Sequence, residues 1–168
     1  MNASDLVKES FEWLKSNYTS FTFFAERDVV WTIQTYLIKR IKEENLSYKV
    51  FNDYPIKKGT GRSFSADIVI VNDEQVEVAV EFKYEPKHER IDIDPAKLKN
   101  TVVFWGDDGV AKDIKRVKEF VAEGRAKKAC AIFIDEGRLF KDKQNREPHP
   151  GSYWEDWGEE AALIAWAG

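Results

Sequence analysis

Cysteine and histidine are scarce in this chain of 168 residues, which holds one of the former and two of the latter. With no second thiol, Cys130 cannot close an internal disulfide. Its place in the apolar run ACAIFI reads as burial in a reducing compartment. No cysteine or histidine cluster points to zinc. Also missing is any run of eighteen apolar residues, so no membrane span is expected. The opening MNASDLVKESFEWLK lacks a basic region leading into an apolar one and does not read as a secretory signal. Together these absences lead us to expect a cytoplasmic protein with no membrane partner.

An excess of positive charge is missing too. The formal net charge is −4, which argues against a protein that grips nucleic acid over its whole surface. A local footprint stays open, because charge is unevenly spread. Residues 57–62, KKGTGR, carry three positive charges and no negative one, and residues 112–128 hold seven Lys or Arg against three acids. Residues 155–160, EDWGEE, are purely acidic. KKGTGR does not match the G-x-x-x-x-G-K-[ST] pattern, so no phosphate loop is expected. There is no internal repeat and no low-complexity linker. The length suits one domain, residues 1–168, with a sizeable core.

What is present reads as an α/β chain. Residues 4–17 form an amphipathic N-terminal helical segment, with Ser4 as a cap and Leu6, Phe11 and Leu14 on the inner side. A longer helix runs from about Phe24 to Ile41, its stripe marked by Val30, Ile33, Leu37 and Ile41. One turn back, that stripe lands on Glu26 and turns it inward, whereas Arg27 and Asp28 rotate away. LSYKVFN, SADIVIVN and QVEVAVEFKY then read as three strands, the last two joined by a turn at Asn72 and Asp73. Residues 85–100 read as a charged loop broken by Pro95, and TVVFW as a brief extra strand. From about 109 to 124, Val110, Ile114, Val117 and Val121 share a helical face, with Gly124 as the stop. KKACAIFIDE is a central-type strand, and a helix between two such strands predicts a right-handed crossover. The C-terminal element, residues 155–168, stays open between strand and helix. The order αβββαβ predicts a mixed β-sheet flanked by helices.

Within this frame the ionisable residues of two strands stand out. Strand side chains repeat with a period of two, so Asp67 shares a face with Val69 and Val71. Glu77, Ala79, Glu81 and Lys83 share another on the neighbouring strand. Acids carried into a core sheet cost desolvation energy unless something compensates it. Two nearby carboxylates repel, and a divalent cation that accepts an oxygen from each relieves them. Such oxygen donors suit Mg²⁺, or Mn²⁺ in its place. The set would comprise Asp67, Glu81, the backbone carbonyl of Phe82, and Glu26 directly or through water. Lys83 would orient or help deprotonate an attacking water and offset charge on a phosphorane-like transition state. The metal would activate that water and polarise the phosphate.

Asp67 followed by Glu81-Phe82-Lys83 across a hairpin resembles the core of the PD-(D/E)XK nuclease superfamily, the restriction-endonuclease-like fold. The resemblance spans roughly residues 22–135 and includes the element order. It implies metal ligation by Asp67 and Glu81, service of the attacking water by Lys83, and a helix glutamate matched by Glu26. Ala66 stands where the superfamily usually has proline. The implied activity is metal-dependent hydrolysis of phosphodiesters by a DNA endonuclease, with RNA left open. Specificity would come from loops, from a homodimer or from a partner subunit, and a homodimer would also let two active sites address two strands. The alternative is a non-catalytic nucleic-acid-binding or assembly module on a nuclease-like scaffold.

Other residues carry weaker signals. Asp53 before Pro55 reads as a turn former, with the site as its alternative. Asp113, Lys115 and Arg116 open the crossover helix, which resembles one that flanks the active site in the superfamily, and Lys115 reads as part of a solvated face before a substrate contact. His88 reads as a surface histidine before a phosphate contact. Tyr84 reads as packing under the site before base stacking, and Asp107 and Asp108 as turn residues. Trp154, Trp157 and Trp166 sit among acids, which favours packing or a protein contact over stacking on nucleic acid.

Overall fold

The computed structural model describes residues 1–56, 64–90, 92 and 101–168. The basic stretch KKGTGR and the region around Pro95 fall outside the described residues. The N-terminal helix, α1, spans Ala3–Asn17 and buries Leu6, Val7, Phe11 and Leu14. Its cap is Asn2 rather than Ser4. Asn2 sits in extended conformation just ahead of the helix, and its Oδ1 accepts from the Asp5 amide at 2.9 Å. Ser4 is already helical, and its hydroxyl donates to the same Oδ1 at 2.7 Å.

Helix α2 spans Glu26–Glu43 and buries Val29, Val30, Ile33, Leu37 and Ile41. Asp28 sets its start by accepting from the amides of Phe24 and Ala25, at 2.8 and 2.9 Å. This carboxylate also lies where the helix dipole favours negative charge. Glu26 is thereby the first helical residue, at the mouth of the helix rather than within its stripe.

Three strands follow: β1 (Lys49–Pro55), β2 (Ser65–Asn72) and β3 (Gln75–Glu85). They pair antiparallel in chain order, and Asp73 takes the left-handed turn position between β2 and β3. Helix α3 (Val110–Ala122) crosses to β4 (Lys128–Asp135), which pairs parallel to β3. Gly124, at φ +65°, ends α3 as expected. β4 is apolar on both faces because helices cover both, and Cys130 on it is buried.

The C-terminal segment that the sequence left open is a hairpin, β5 (Ser152–Trp157) and β6 (Glu160–Ala167). The full sheet has the order β1-β2-β3-β4-β6-β5. It is an α/β architecture with a mixed six-stranded sheet flanked by helices. TVVFW forms no strand. The amides of Val102 and Val103 donate instead to the buried Glu85 carboxylate, at 2.9 and 2.7 Å, which holds the segment as a loop. A second buried acid, Asp135, accepts from the amides of Leu139, Phe140 and Lys141 and starts the π-helical turn Leu139–Lys143.

Two apolar layers result. Ile68, Ile70, Val80, Phe82, Ile132 and Ile164 meet α1 and α2, with the rings of Phe11 and Phe82 edge to face. Val69, Ala79, Ala129, Ala131, Phe133 and Leu163 meet α3. The alanines let α3 approach the sheet closely. The three C-terminal tryptophans do not cluster. Trp154 stacks on Trp105, Trp157 meets Tyr18, and Trp166 lies under the Lys8 ammonium.

The junction of loop and α3 depends on Gly109. A Cβ there would sit 1.8 Å from the carbonyl oxygen of Phe104. Gly109→Ala should therefore cost about 1–3 kcal/mol, as overpacking against backbone does. Equilibrium denaturant unfolding checks this, and an unchanged midpoint would show that the loop can give way.

Candidate active site

The β2–β3 ladder shifts register between Ile70 and Val71, runs on to the pair Ile68–Val80 and stops there. One residue on, Asp67 no longer has a main-chain match. Its Oδ2 accepts from the Phe82 amide at 2.7 Å, in place of a β2 carbonyl. The strands part at this point, and the side chains of Glu81 and Lys83 emerge on the α3 side, beyond Ala79. The expected grouping of Asp67, Glu81 and Lys83 on one face of the sheet is thus present.

Helix α3 closes over them with its first two turns. Asp113 and Arg116 face the sheet alongside Val110, Ile114 and Val117. Arg116 lies 3.3 Å from Glu81 Oε1 and donates to the Ser65 carbonyl at 2.7 Å. Asp113 Oδ2 lies 2.9 Å from the Lys83 ammonium. Lys83 also reaches Glu26 Oε2 at 3.4 Å and donates to the Phe82 carbonyl at 3.0 Å. Glu26 arrives from the opposite layer, because α2 begins just past the sheet end where β3 carries Lys83. Four carboxylates and two cations therefore share one space.

The electrostatics follow from burial. Glu81 is only 3% exposed, and burial, followed by the charge of Asp67, pushes its carboxyl well above the usual range. Its Oε1 accepts no directed hydrogen bond, despite the guanidinium nearby. Burial also raises Asp67, against the Phe82 amide, and it raises Glu26 to about 7 against the pull of Lys83. For Lys83, burial lowers the pKa, but Asp113 and Glu26 outweigh it and hold the ammonium above its ordinary value. Negative charge is thus undercompensated, and the lysine is firmly protonated.

Hard oxygen donors of this kind fit a divalent cation that keeps most of its waters. The buried Glu81 Oε1 beside Asp67, which lacks a directed hydrogen bond, is the donor such an ion would satisfy. Yet among the described residues no three acidic, cysteine or histidine side chains come together at metal-binding spacing. Asp67 and Glu81 are the side chains that could hold such an ion, and the Phe82 carbonyl, which accepts from Lys83, lies beside them. Glu26 is bound to Lys83 and suits an outer position, through water.

The remaining candidates fall elsewhere. Lys115 is 79% exposed and lies 3.8 Å from Glu119, on the solvated face of α3. His88 sits 2.6 Å from the buried Glu85 carboxylate, as part of the loop anchor. Tyr84 is buried, and its hydroxyl donates to Glu136 at 2.7 Å, a packing role. Asp53 lies inside β1 rather than in a turn, exposed and at φ +48°, with Asn52 and Tyr54 paired on either side. Sequence reasoning assigned Asp113 and Arg116 no more than a flanking place. Their spacing of three, in step with Val110, Ile114 and Val117, was the available signal.

Comparison with known proteins gives no further guide: no family model, no curated protein and no solved structure matches this chain.

A carboxyl raised in the folded state binds its proton more tightly there, so it contributes a penalty that grows as pH rises between the unfolded and folded values. For Glu26 that window runs from about 4.5 to about 7. Metal-free Glu26→Gln should lose less stability than wild type across this interval. Denaturant midpoints measured in EDTA from pH 4.5 to 7.5 check this, and parallel curves would remove Glu26 from the charge cluster.

Proposed function

We propose that this chain is a metal-dependent nuclease that hydrolyses phosphodiester bonds in DNA, built on a restriction-endonuclease-like core. The observation that carries the reading is the pairing of the half-buried Asp67 with the buried Glu81, both with raised carboxyl pKa values, beside the protonated Lys83. Such a set is poorly justified by stability alone, since buried ion pairs are at best neutral against apolar packing.

In this reading Asp67 and Glu81 hold Mg²⁺ or Mn²⁺, and the ion, when bound, supplies an acidified water and polarises a phosphoryl oxygen. Lys83, held by Asp113 and Glu26, presents an ammonium where charge develops on the phosphate oxygens. Its raised pKa makes it an electrostatic and orienting group rather than a base in the resting site. Glu26, near neutrality in its titration, is placed to exchange a proton with solvent through water. Arg116 lies beside Glu81 and partly offsets its charge, and Asp113 fixes the reach of Lys83.

A second reading is favoured by the internal pairing itself. Asp67 engages Phe82, Glu81 faces Arg116 and Lys83 faces Asp113, so the cluster can stand as a closed ion-pair network in a non-catalytic nucleic-acid-binding or assembly module. The two readings part on metal binding. Calorimetric titration of Mg²⁺ and Mn²⁺ into wild type should give heat that disappears in Glu81→Ala. Cleavage of linear, circular and single-stranded DNA should disappear with it. Wild type that neither takes up metal nor cuts DNA would leave the scaffold reading. Lys83→Ala should keep the metal heat while losing cleavage by at least about a hundredfold, the usual scale for such a group. Undiminished turnover in that variant would take the lysine out of the mechanism.

A further inference from the structure

A cleft of about 460 Å³ opens directly beside the charge cluster, with Glu26 and Lys83 forming one end of its lining. The rest of its wall is largely apolar and includes Phe24, Pro86, Val102 and Phe104. Phe104 is 68% exposed and Val102 58%, on a loop that is otherwise firmly seated. Glu85 holds the amides of Val102 and Val103, the Phe104 carbonyl accepts from the Val110 amide at 2.9 Å, and Trp105 stacks on Phe140, His149 and Trp154. Gly109 gives the Phe104 carbonyl its room. The loop's own anchors thus bury Trp105 inward and present the next aromatic ring outward, over a cavity contiguous with the reacting groups.

We propose that this cleft is a nucleobase subsite, with Phe104 as its stacking platform, and that the substrate is a single strand or an unpaired end. The inference rests on the nuclease reading of the neighbouring cluster. A nucleotide has the matching chemistry: a flat ring with apolar faces for the cleft, joined through its sugar to a phosphate that Lys83 can reach. The volume lies in the range of ordinary ligand pockets and admits a base with its sugar. A base inside a duplex keeps its faces stacked on its neighbours and cannot enter unless it is unpaired and turned out. Stacking on an aromatic ring is also indifferent to base identity, so the subsite would select strandedness rather than sequence.

The test is fluorescence anisotropy in EDTA with wild type, Phe104→Ala and Phe104→Trp. The probes are a labelled twelve-nucleotide single strand, the same strand with abasic sites, and a blunt hairpin duplex. Hydrolysis of the intact single strand and the hairpin with Mg²⁺ is measured in parallel. The expected result is tighter wild-type binding to the intact single strand than to the other two probes. Phe104→Ala should lose about tenfold or more on that strand alone, as removal of a stacking ring does, and Phe104→Trp should retain it. Equal binding of duplex and single strand by wild type would overturn the subsite, as would a Phe104→Ala variant with unchanged affinity, while continued cleavage would leave the nuclease reading standing. Wild type that neither binds nor cleaves any probe would overturn both. Phe104 is exposed, so the variants are not expected to disturb folding, and matching circular dichroism spectra verify that.

Discussion

The rest of the site depends on one costly placement, the carboxylate of Glu81 on an inner strand with 3% of its surface open to solvent. A lone ionised carboxylate at such a depth is strongly disfavoured, so the surroundings are arranged around it. Arg116 is brought in from α3, Lys83 follows two residues later on the same face, and each cation in turn needs an anion of its own. Asp113 and Glu26 meet that need for Lys83. The helix above and the helix from the opposite layer are therefore tied to one strand by charge as well as by apolar packing. What remains is a cluster in which acids outnumber cations and the buried carboxyls hold their protons more tightly than usual.

The elements themselves were well marked in the sequence wherever periodicity was strong. The stripe from Val29 to Ile41, the alternation in β2 and β3 and the unbroken apolar run of β4 each correspond to a buried face. The misreadings share a cause, namely side chains that claim backbone groups. Asn2 rather than Ser4 caps α1, because Asn2 holds the extended conformation of a cap and its amide oxygen accepts from Asp5, whereas Ser4 is already helical. TVVFW has strand composition, but Glu85, some seventeen residues away, takes its amides. The C-terminal hairpin was ambiguous because β6 is buried on both faces and shows no alternation.

For the site, Asp67, Glu81 and Lys83 were legible because two strand periods and a hairpin suffice to place them on one face. Glu26 was foreseen at the site, although it gets there from the helix mouth rather than from the stripe. Asp113 and Arg116 were not assigned to the cluster. A charged residue in an amphipathic helix is read as solvent-facing by default, and only the partner acid on the sheet reverses that default for these two. Pairings between distant elements leave no local trace in sequence, and these are such pairings.

The parting of β2 from β3 beyond Ile68 and Val80 has a consequence for how the molecule yields. Past that point β2 is tied to the body of the molecule by the Asp67 carboxylate on the Phe82 amide and by Arg116 on the Ser65 carbonyl. A zipper with its slider stopped short has a weak end. The β1–β2 arm should therefore breathe from the end that carries Asp67 first, with amide protons there exchanging ahead of those near the β2–β3 turn. An ion or a nucleic acid bound in the notch would act as a pin across that seam, so occupancy of the site would be felt along the whole outer edge of the sheet.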